Sequence, residues 1–291
     1  MNAYTQFKVL QAQIAEGLSN TAYHQRAEFS SSQLKDMLRS AAHFYSNSIL
    51  KENDKPSKAC MDFGTLAHTL FLEPEQFWNE FVVTPKFNRR TKDGKAEAEA
   101  WESANEHKIC VTQEQVDGAQ RIVENLQTLS IYNDMRNNYG MAEASIFYKD
   151  PEFNLELRIR PDWHIAPCNN FPNGLIIDLK TTTDARPHAF SKKCGDFAYD
   201  LSCAMYREGF QQAYNTEEKP PFIFLVAESS APYNVKQYKA SDLFIAVGEK
   251  RYNQAKEQLA ESLLIKEWDG YGTELEEISL PAYLTQKALN D

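Results

Sequence analysis

Asp178-Leu179-Lys180 closes a short apolar run, Leu175-Ile176-Ile177, and a second acidic residue, Asp162, lies upstream. On a β-strand successive side chains alternate faces, so Asp178 and Lys180 share one face while Leu179 turns into the core. Two carboxylates brought together suit a hard divalent cation such as Mg²⁺, which prefers oxygen ligands. A lysine beside them can orient an attacking water and offset the charge that builds up as a phosphodiester breaks. That is the chemistry of a metal-dependent nuclease.

The tripeptide alone decides nothing. Asp93-Gly94-Lys95 fits the same D-x-K pattern within a polar stretch, and short motifs need structural context. The context at Asp178 is favourable. Asn173-Gly174 is a turn signal, and the residues after it are β-branched and apolar. Upstream, Leu155 to Ile165 reads as one strand with Leu155, Leu157 and Ile159 on one face. Glu156, Arg158 and Arg160 fall on the other, and Asp162 follows them. Pattern alone leaves a second reading open, a surface hairpin with solvated charges.

These residues must be positioned by the remaining elements. Ser30 to Tyr45 reads as one serine-capped amphipathic helix. Lys51 to Lys58 is a polar linker, and Met61 to Leu72 is an apolar helix holding His68. A histidine so placed is ordinarily a hydrogen-bonded core residue. Thr84 to Lys95 is a basic loop, followed by an acidic helix from Ala96 to His107 and another helix from Gln113 to Asn125. Strands are expected over Ala142–Tyr148, Phe222–Ala227 and Val235–Lys239. Helices are expected over Phe197–Tyr214, Ser241–Ile265 and, in the tail, Pro281–Leu289, with a turn at Trp268 to Gly272. The order predicts an α/β fold, helices before and around a mixed sheet. The whole chain, 1–291, reads as one domain: an N-terminal helical segment (1–60), a core (61–272) and a tail (273–291).

Composition narrows the classes. The chain has 291 residues, 42% of them hydrophobic, enough for a sizeable core. No apolar stretch is long enough to cross a membrane, and the N-terminus lacks the pattern of a secretory leader. Five scattered cysteines without a CxxC pair fit reduced thiols in a cytoplasm, not a disulfide frame, a zinc site or an iron–sulfur cluster. The net charge of −10 argues against a protein that coats nucleic acid, though not against an enzyme with a local basic channel.

Taken in order, the segments resemble the exonuclease VIII (RecE-type) nucleases of phages and prophages, in the RecB-like branch of the PD-(D/E)xK superfamily. The resemblance runs from about residue 20 to 272. Its pieces are Ser30 to Lys35, Gly64-Thr65-Leu66-Ala67-His68 with Leu72-Glu73-Pro74-Glu75, and Arg89-Arg90-Thr91-Lys92 with Gly94-Lys95. Glu143 to Ile146, Arg160-Pro161-Asp162, Asp178-Leu179-Lys180, the Tyr199–Tyr206 helix and the Trp268–Tyr271 turn complete it. It implies a PD-(D/E)xK core, a mixed central sheet flanked by helices. It implies His68, Asp162, Asp178 and the Leu179 carbonyl as ligands of Mg²⁺, with Mn²⁺ a substitute, and Lys180 as the catalytic lysine. Glu143 matches an acidic position at the site's edge. Arg89, Arg90, Lys92, Arg160, Arg186 and Tyr206 are the candidates for DNA contact. The chain departs from the pattern at Ser202, where relatives carry a glutamine, and lacks their proline near Ala41-Ala42.

The activity so implied is 5′→3′ exonuclease digestion of linear double-stranded DNA, leaving overhangs for recombination. A homo-oligomeric ring and a single-strand annealing protein are the implied partners, in the cytoplasm of a bacterial host. Two alternatives stay open. One is an endonuclease or a CRISPR- or restriction-type processor on the same core, and the other is a catalytically inert DNA-binding protein.

Overall fold

Strand β8 (Leu175–Thr182) lies at the middle of the molecule and explains its layering. The computed structural model describes residues 12–52 and 59–280. Before β8 come β1 (Ala12–Ala15), α1 (Asn20–His24), α2 (Ser31–Arg39), α3 (Ala41–Phe44) and a π-helical turn over Tyr45–Ile49. Then follow α4 (Ala59–Leu72), α5 (Phe77–Glu80), β2 (Phe81–Val83), α6 (Lys92–Ala104), β3 (Ile109–Val111), α7 (Gln113–Leu126) and α8 (Ser130–Asn137). Three short strands and β7 (Trp163–Ile165) lead into β8: β4 (Gly140–Ala142), β5 (Ser145–Lys149) and β6 (Glu156–Ile159). After it come α9 (Pro187–Asp196), α10 (Tyr199–Tyr214), β9 (Phe222–Glu228), β10 (Val235–Lys239) and α11 (Asp242–Ile265).

The central sheet runs β10-β9-β8-β7-β4. Strands β8 and β9 are parallel, and the other neighbours are antiparallel, so the sheet is mixed. A three-stranded antiparallel sheet, β1-β5-β6, and a parallel pair, β2-β3, stand beside it. Alternation along β8 divides the core. Leu175, Ile177 and Leu179 pack with Leu66, Ile122 and Leu126 of α4 and α7. Ile176 packs on the other face with Leu201, Met205 and Leu259 of α10 and α11. Both sheet faces are therefore covered, which is why β8 and β9 read as near-continuous apolar runs.

Several elements differ from the sequence reading. The expected Leu155–Ile165 strand is two strands in two sheets, β6 and β7, parted at Arg160-Pro161-Asp162. Pro161 has no N–H to give a ladder, so the chain leaves one sheet there and enters the next. The Ser30–Tyr45 helix breaks at Ser40, which is extended (φ −176°, ψ 159°) and accepts a hydrogen bond from the His43 N–H. The break lets the Trp268 turn dock: Trp268 stacks on Phe44 and Tyr45, and the Ala42 N–H donates to the Asp269 carbonyl. The acidic helix starts earlier, at Lys92, because the Thr91 hydroxyl caps the Gly94 N–H. Helix α9 was not foreseen, and the expected Pro281–Leu289 helix lies outside the described residues. Among the described residues no helix is long and apolar enough to cross a membrane.

Candidate metal centre and cleft

Asp162 sits at the exit of the β6–β7 break, where its carboxylate Oδ2 accepts the Leu179 N–H at 2.6 Å. That bond joins it to β8 beside Asp178. Glu143 reaches it from the other side. Strand β4 pairs with β7 through Ala142 opposite Trp163, so the next residue, Glu143, falls opposite Asp162. The Glu143 N–H donates to the Asp162 carbonyl at 3.1 Å. Glu143 has φ +47°, a left-handed conformation rare for a side chain of this type. Such strain persists only where surrounding contacts hold it, and it concentrates at functional sites.

Helix α4 brings the third group. His68 Nδ1 lies 3.7 Å from Asp162 Oδ2. Gly64, one turn earlier, faces β8: a Cβ there would stand 3.0 Å from the Thr181 hydroxyl. A side chain at 64 would meet that hydroxyl tightly, so the glycine lets α4 lie close to β8. His68, Glu143 and Asp162 thus present three donor atoms within 4.8 Å of one another.

Asp178 and Lys180 share the α10 face of β8, as alternation requires. Their side chains form an ion pair, and Lys180 Nζ lies 3.9 Å from Asp162 Oδ2 and 3.4 Å from the Leu179 carbonyl. Burial pushes the Asp178 carboxyl up, and Lys180 only partly offsets it. Burial would lower the Lys180 ammonium, but Asp178 and Asp162 outweigh it and hold it above its ordinary value. Glu143 is pushed up to about 9 by burial and by the Asp162 carboxylate beside it.

The chemistry of this donor set fits a divalent cation. Two carboxylates and an imidazole converge in a half-buried place, where burial first and mutual repulsion second favour a proton on Glu143. A divalent cation held by these residues would pair both carboxylate charges. Oxygen donors with one nitrogen suit Mg²⁺ or Mn²⁺.

The cluster opens into a cleft of about 860 Å³, lined by His68, Glu143, Arg160, Leu179, Lys180 and Tyr199 among others. A smaller chamber of about 160 Å³ shares Lys180 and Tyr199 with it, and there Asp178 and Lys180 meet Lys35, Ser202 and Tyr206. Burial and the nearby Lys180 bring the Lys35 ammonium down to about 8. The cleft therefore unites His68, Glu143, Leu179 and Lys180, with Asp162 held against them by His68, the Leu179 N–H and the Glu143 N–H, and with Asp178 and Tyr206 in the smaller chamber.

The basic candidates are dispersed. Arg160 lies in the cleft wall, bonded to the Ser145 hydroxyl and the Leu18 carbonyl and set over the Tyr23 ring at 4.0 Å. Arg186 turns to Asp184 at the surface, and Arg89 to Glu102. Arg89, Arg90 and Lys92 do not line the cleft. Sequence reasoning passed over Lys35, Lys193, Phe197 and Tyr199 as site residues. Only the Tyr199 helix and the Ser30–Lys35 segment carried a signal.

A family model described as a PDDEXK-like domain of unknown function (DUF3799) matches residues 30–279. A solved structure from Eubacterium rectale, described as a "putative exonuclease", superposes with a TM-score of 0.57 over 94% of this chain and 98% of its own, at 13% identity. That likeness is one of fold. A second structure, SSO0001, aligns over 71% of this chain and 87% of its own at 14% identity, and its TM-score of 0.31 carries no argument. No curated protein matches.

Proposed function

The chain belongs to the PDDEXK-like family, and from that premise we propose that it is a metal-dependent deoxyribonuclease, a 5′→3′ exonuclease on linear double-stranded DNA that leaves single-stranded overhangs for recombination. The observation that carries the hydrolytic part is the convergence of His68, Glu143 and Asp162 beside Lys180 at one cleft. End preference and polarity rest on the resemblance of the motif order to RecE-type nucleases. The E. rectale structure's description as an exonuclease agrees with that reading.

Three side chains would hold the metal, His68, Glu143 and Asp162, with the Leu179 carbonyl beside them; Asp178, which the resemblance also implies as a ligand, lies outside that group of three and is paired with Lys180. Mg²⁺ is the proposed ion, with Mn²⁺ as substitute. A divalent cation held by these side chains would supply Lewis acidity toward the attacking water and the phosphoryl oxygens. Lys180 supplies the fixed positive charge: it donates toward the nucleophile and offsets the charge that develops on the phosphate oxygens. Asp178 orients Lys180 through their ion pair and keeps its ammonium protonated. The Leu179 N–H holds Asp162 in place. Arg160 and, along a longer path, Arg89, Arg90, Lys92 and Arg186 are proposed backbone contacts, and Tyr206 supports the Asp178 side. A ring of copies around the duplex and a single-strand annealing partner complete the proposal.

The experiment is digestion of end-labelled linear duplex with Mg²⁺, with and without chelator, beside a closed circle of the same sequence. Loss of label from linear ends only, abolished by chelator, is the expected result. Equal cutting of closed circles would favour an endonuclease on this core.

A further inference from the structure

Phe197 is a large aromatic residue set half in water at the wall of the catalytic cleft, 54% exposed. Its ring lies almost parallel to that of Tyr199, with centroids 5.8 Å apart and planes 20° apart. Tyr199 in turn carries Lys180 Nζ 5.5 Å from its ring centroid. An aromatic ladder thus runs from the catalytic lysine outward, ending in a ring with a face left open.

The backbone holds that ring in place. Phe197 and Tyr199 flank Ala198, which joins α9 to α10 in the left-handed conformation at φ +48°. An alanine there costs stability, and a tighter or helical junction would avoid the cost. Ala198 is itself buried, so the junction is fixed by packing. On the same cleft wall, Lys193 donates to the Thr182 hydroxyl at 2.9 Å, which sets a cation and a hydroxyl beside each other there.

We propose that Phe197 is a stacking platform for one nucleobase of a single strand lying in the cleft, with Lys193 on the phosphate of the same segment. This rests on the nuclease reading of the cleft. A base inside a duplex has both faces covered by its neighbours, so the open face can take either an unpaired base or the outer face of a blunt end's last pair. The platform takes the unpaired base, so the strand that enters is separated from its complement at that point, and tighter binding of the blunt duplex than of the single strand would overturn this. Stacking on an aromatic ring accepts any base, because each has a π-face. The platform gives affinity without sequence preference.

The test reads binding without cleavage. Fluorescently labelled single strands, each with one base replaced by an abasic nucleotide at a different position, are titrated with the protein in chelator. A blunt duplex of the same sequence is titrated beside them. The wild type is expected to bind the single strand more tightly than the blunt duplex, and one abasic position should weaken it on the order of 10-fold. Phe197→Ala should lose a similar factor and become indifferent to that position, while Phe197→Tyr should restore both. The proposal is overturned if Phe197→Ala binds like the wild type, if the abasic effect persists undiminished in it, or if Phe197→Tyr fails to restore what Phe197→Ala loses. It is equally overturned if the wild type shows no measurable affinity for any single strand. A protein that cuts no DNA but passes this titration refutes the nuclease reading alone, and one that cuts but fails it refutes the platform alone.

Discussion

Removing one member of the Asp178–Lys180 pair is expected to do two things at once, because the pair is a buried charge balance and, in the proposed mechanism, a catalytic device. Lys180→Ala should slow cleavage by about 10²–10³-fold, the usual cost of losing one fixed stabilising charge. It should also lower stability by roughly 3–5 kcal/mol, since Asp178 is then a buried carboxylate without its cation. The double variant Asp178→Asn/Lys180→Met should recover most of the urea midpoint and none of the cleavage. Recovery of cleavage would show that the pair only supports the fold. Glu143 gives a pH signature. Its carboxyl is raised from an ordinary 4.5 to about 9, so between those values the folded chain keeps a proton that the unfolded chain has released. Stability in chelator therefore falls as pH rises through that window. Glu143→Gln should remove Glu143's share of the slope and be the more stable protein at pH 8 in chelator. With Mg²⁺ the order should reverse, because the wild type gains the binding energy of the ion. Melting curves with and without metal check both halves.

The elements that place these residues rest on a few close approaches. Gly248 on α11 faces the Asp200 carbonyl of α10, and a Cβ there would stand 2.2 Å from that oxygen. Gly248→Ala should force the helices apart and cost about 1–3 kcal/mol, read as a fall in Tm. A variant as stable as the wild type would mean that the helices have room to shift. Because α10 also carries Tyr199 and Tyr206, activity should fall further than stability alone accounts for. The same elements show what a sequence can and cannot disclose. Strand β8 was legible because Asn173-Gly174 marks its start and its apolar alternation is local. Helices α4, α7 and α11 were legible from their spacing. Strands β1 and β4 are only three or four residues long, and their pairing partners lie elsewhere in the chain, so no local period announces them; β7 fell within the expected Leu155–Ile165 strand, and what the local pattern hid is its change of sheet. That loss mattered for Glu143. The residue was placed at the site's edge by motif order, but its position opposite Asp162 comes from the β4–β7 register, which no short window contains. His68 was separable from a core histidine only by the resemblance, since a helical period is the same for both. Helix α9 had one signal, Pro187 at its first position with Arg186 before it, and its polar composition hid the rest.

At the scale of the whole molecule, charge limits how DNA can be held. A chain of net charge −10 repels a polyanion at long range, so binding must come from a local track of cations and from the metal. The cations near the cleft, Lys35, Lys180, Lys193 and Arg160, line its wall or the smaller chamber that shares Lys180 with it. The basic loop is elsewhere, with Arg89 already engaged by Glu102 at the surface. Two populations of contact follow, and the salt dependence of binding separates them. With a short oligonucleotide that only fills the cleft, Lys193→Ala should reduce the slope of log affinity against log salt by roughly 0.7 for a single strand. Arg89→Ala/Arg90→Ala should leave that slope unchanged. With a longer duplex that runs past the cleft mouth, the same double substitution should remove about 0.9 per lost phosphate contact. An unchanged slope on every length of duplex would place the loop off the DNA path altogether. A reduced slope on the shortest oligonucleotide would instead mean that the loop reaches the cleft when DNA is bound.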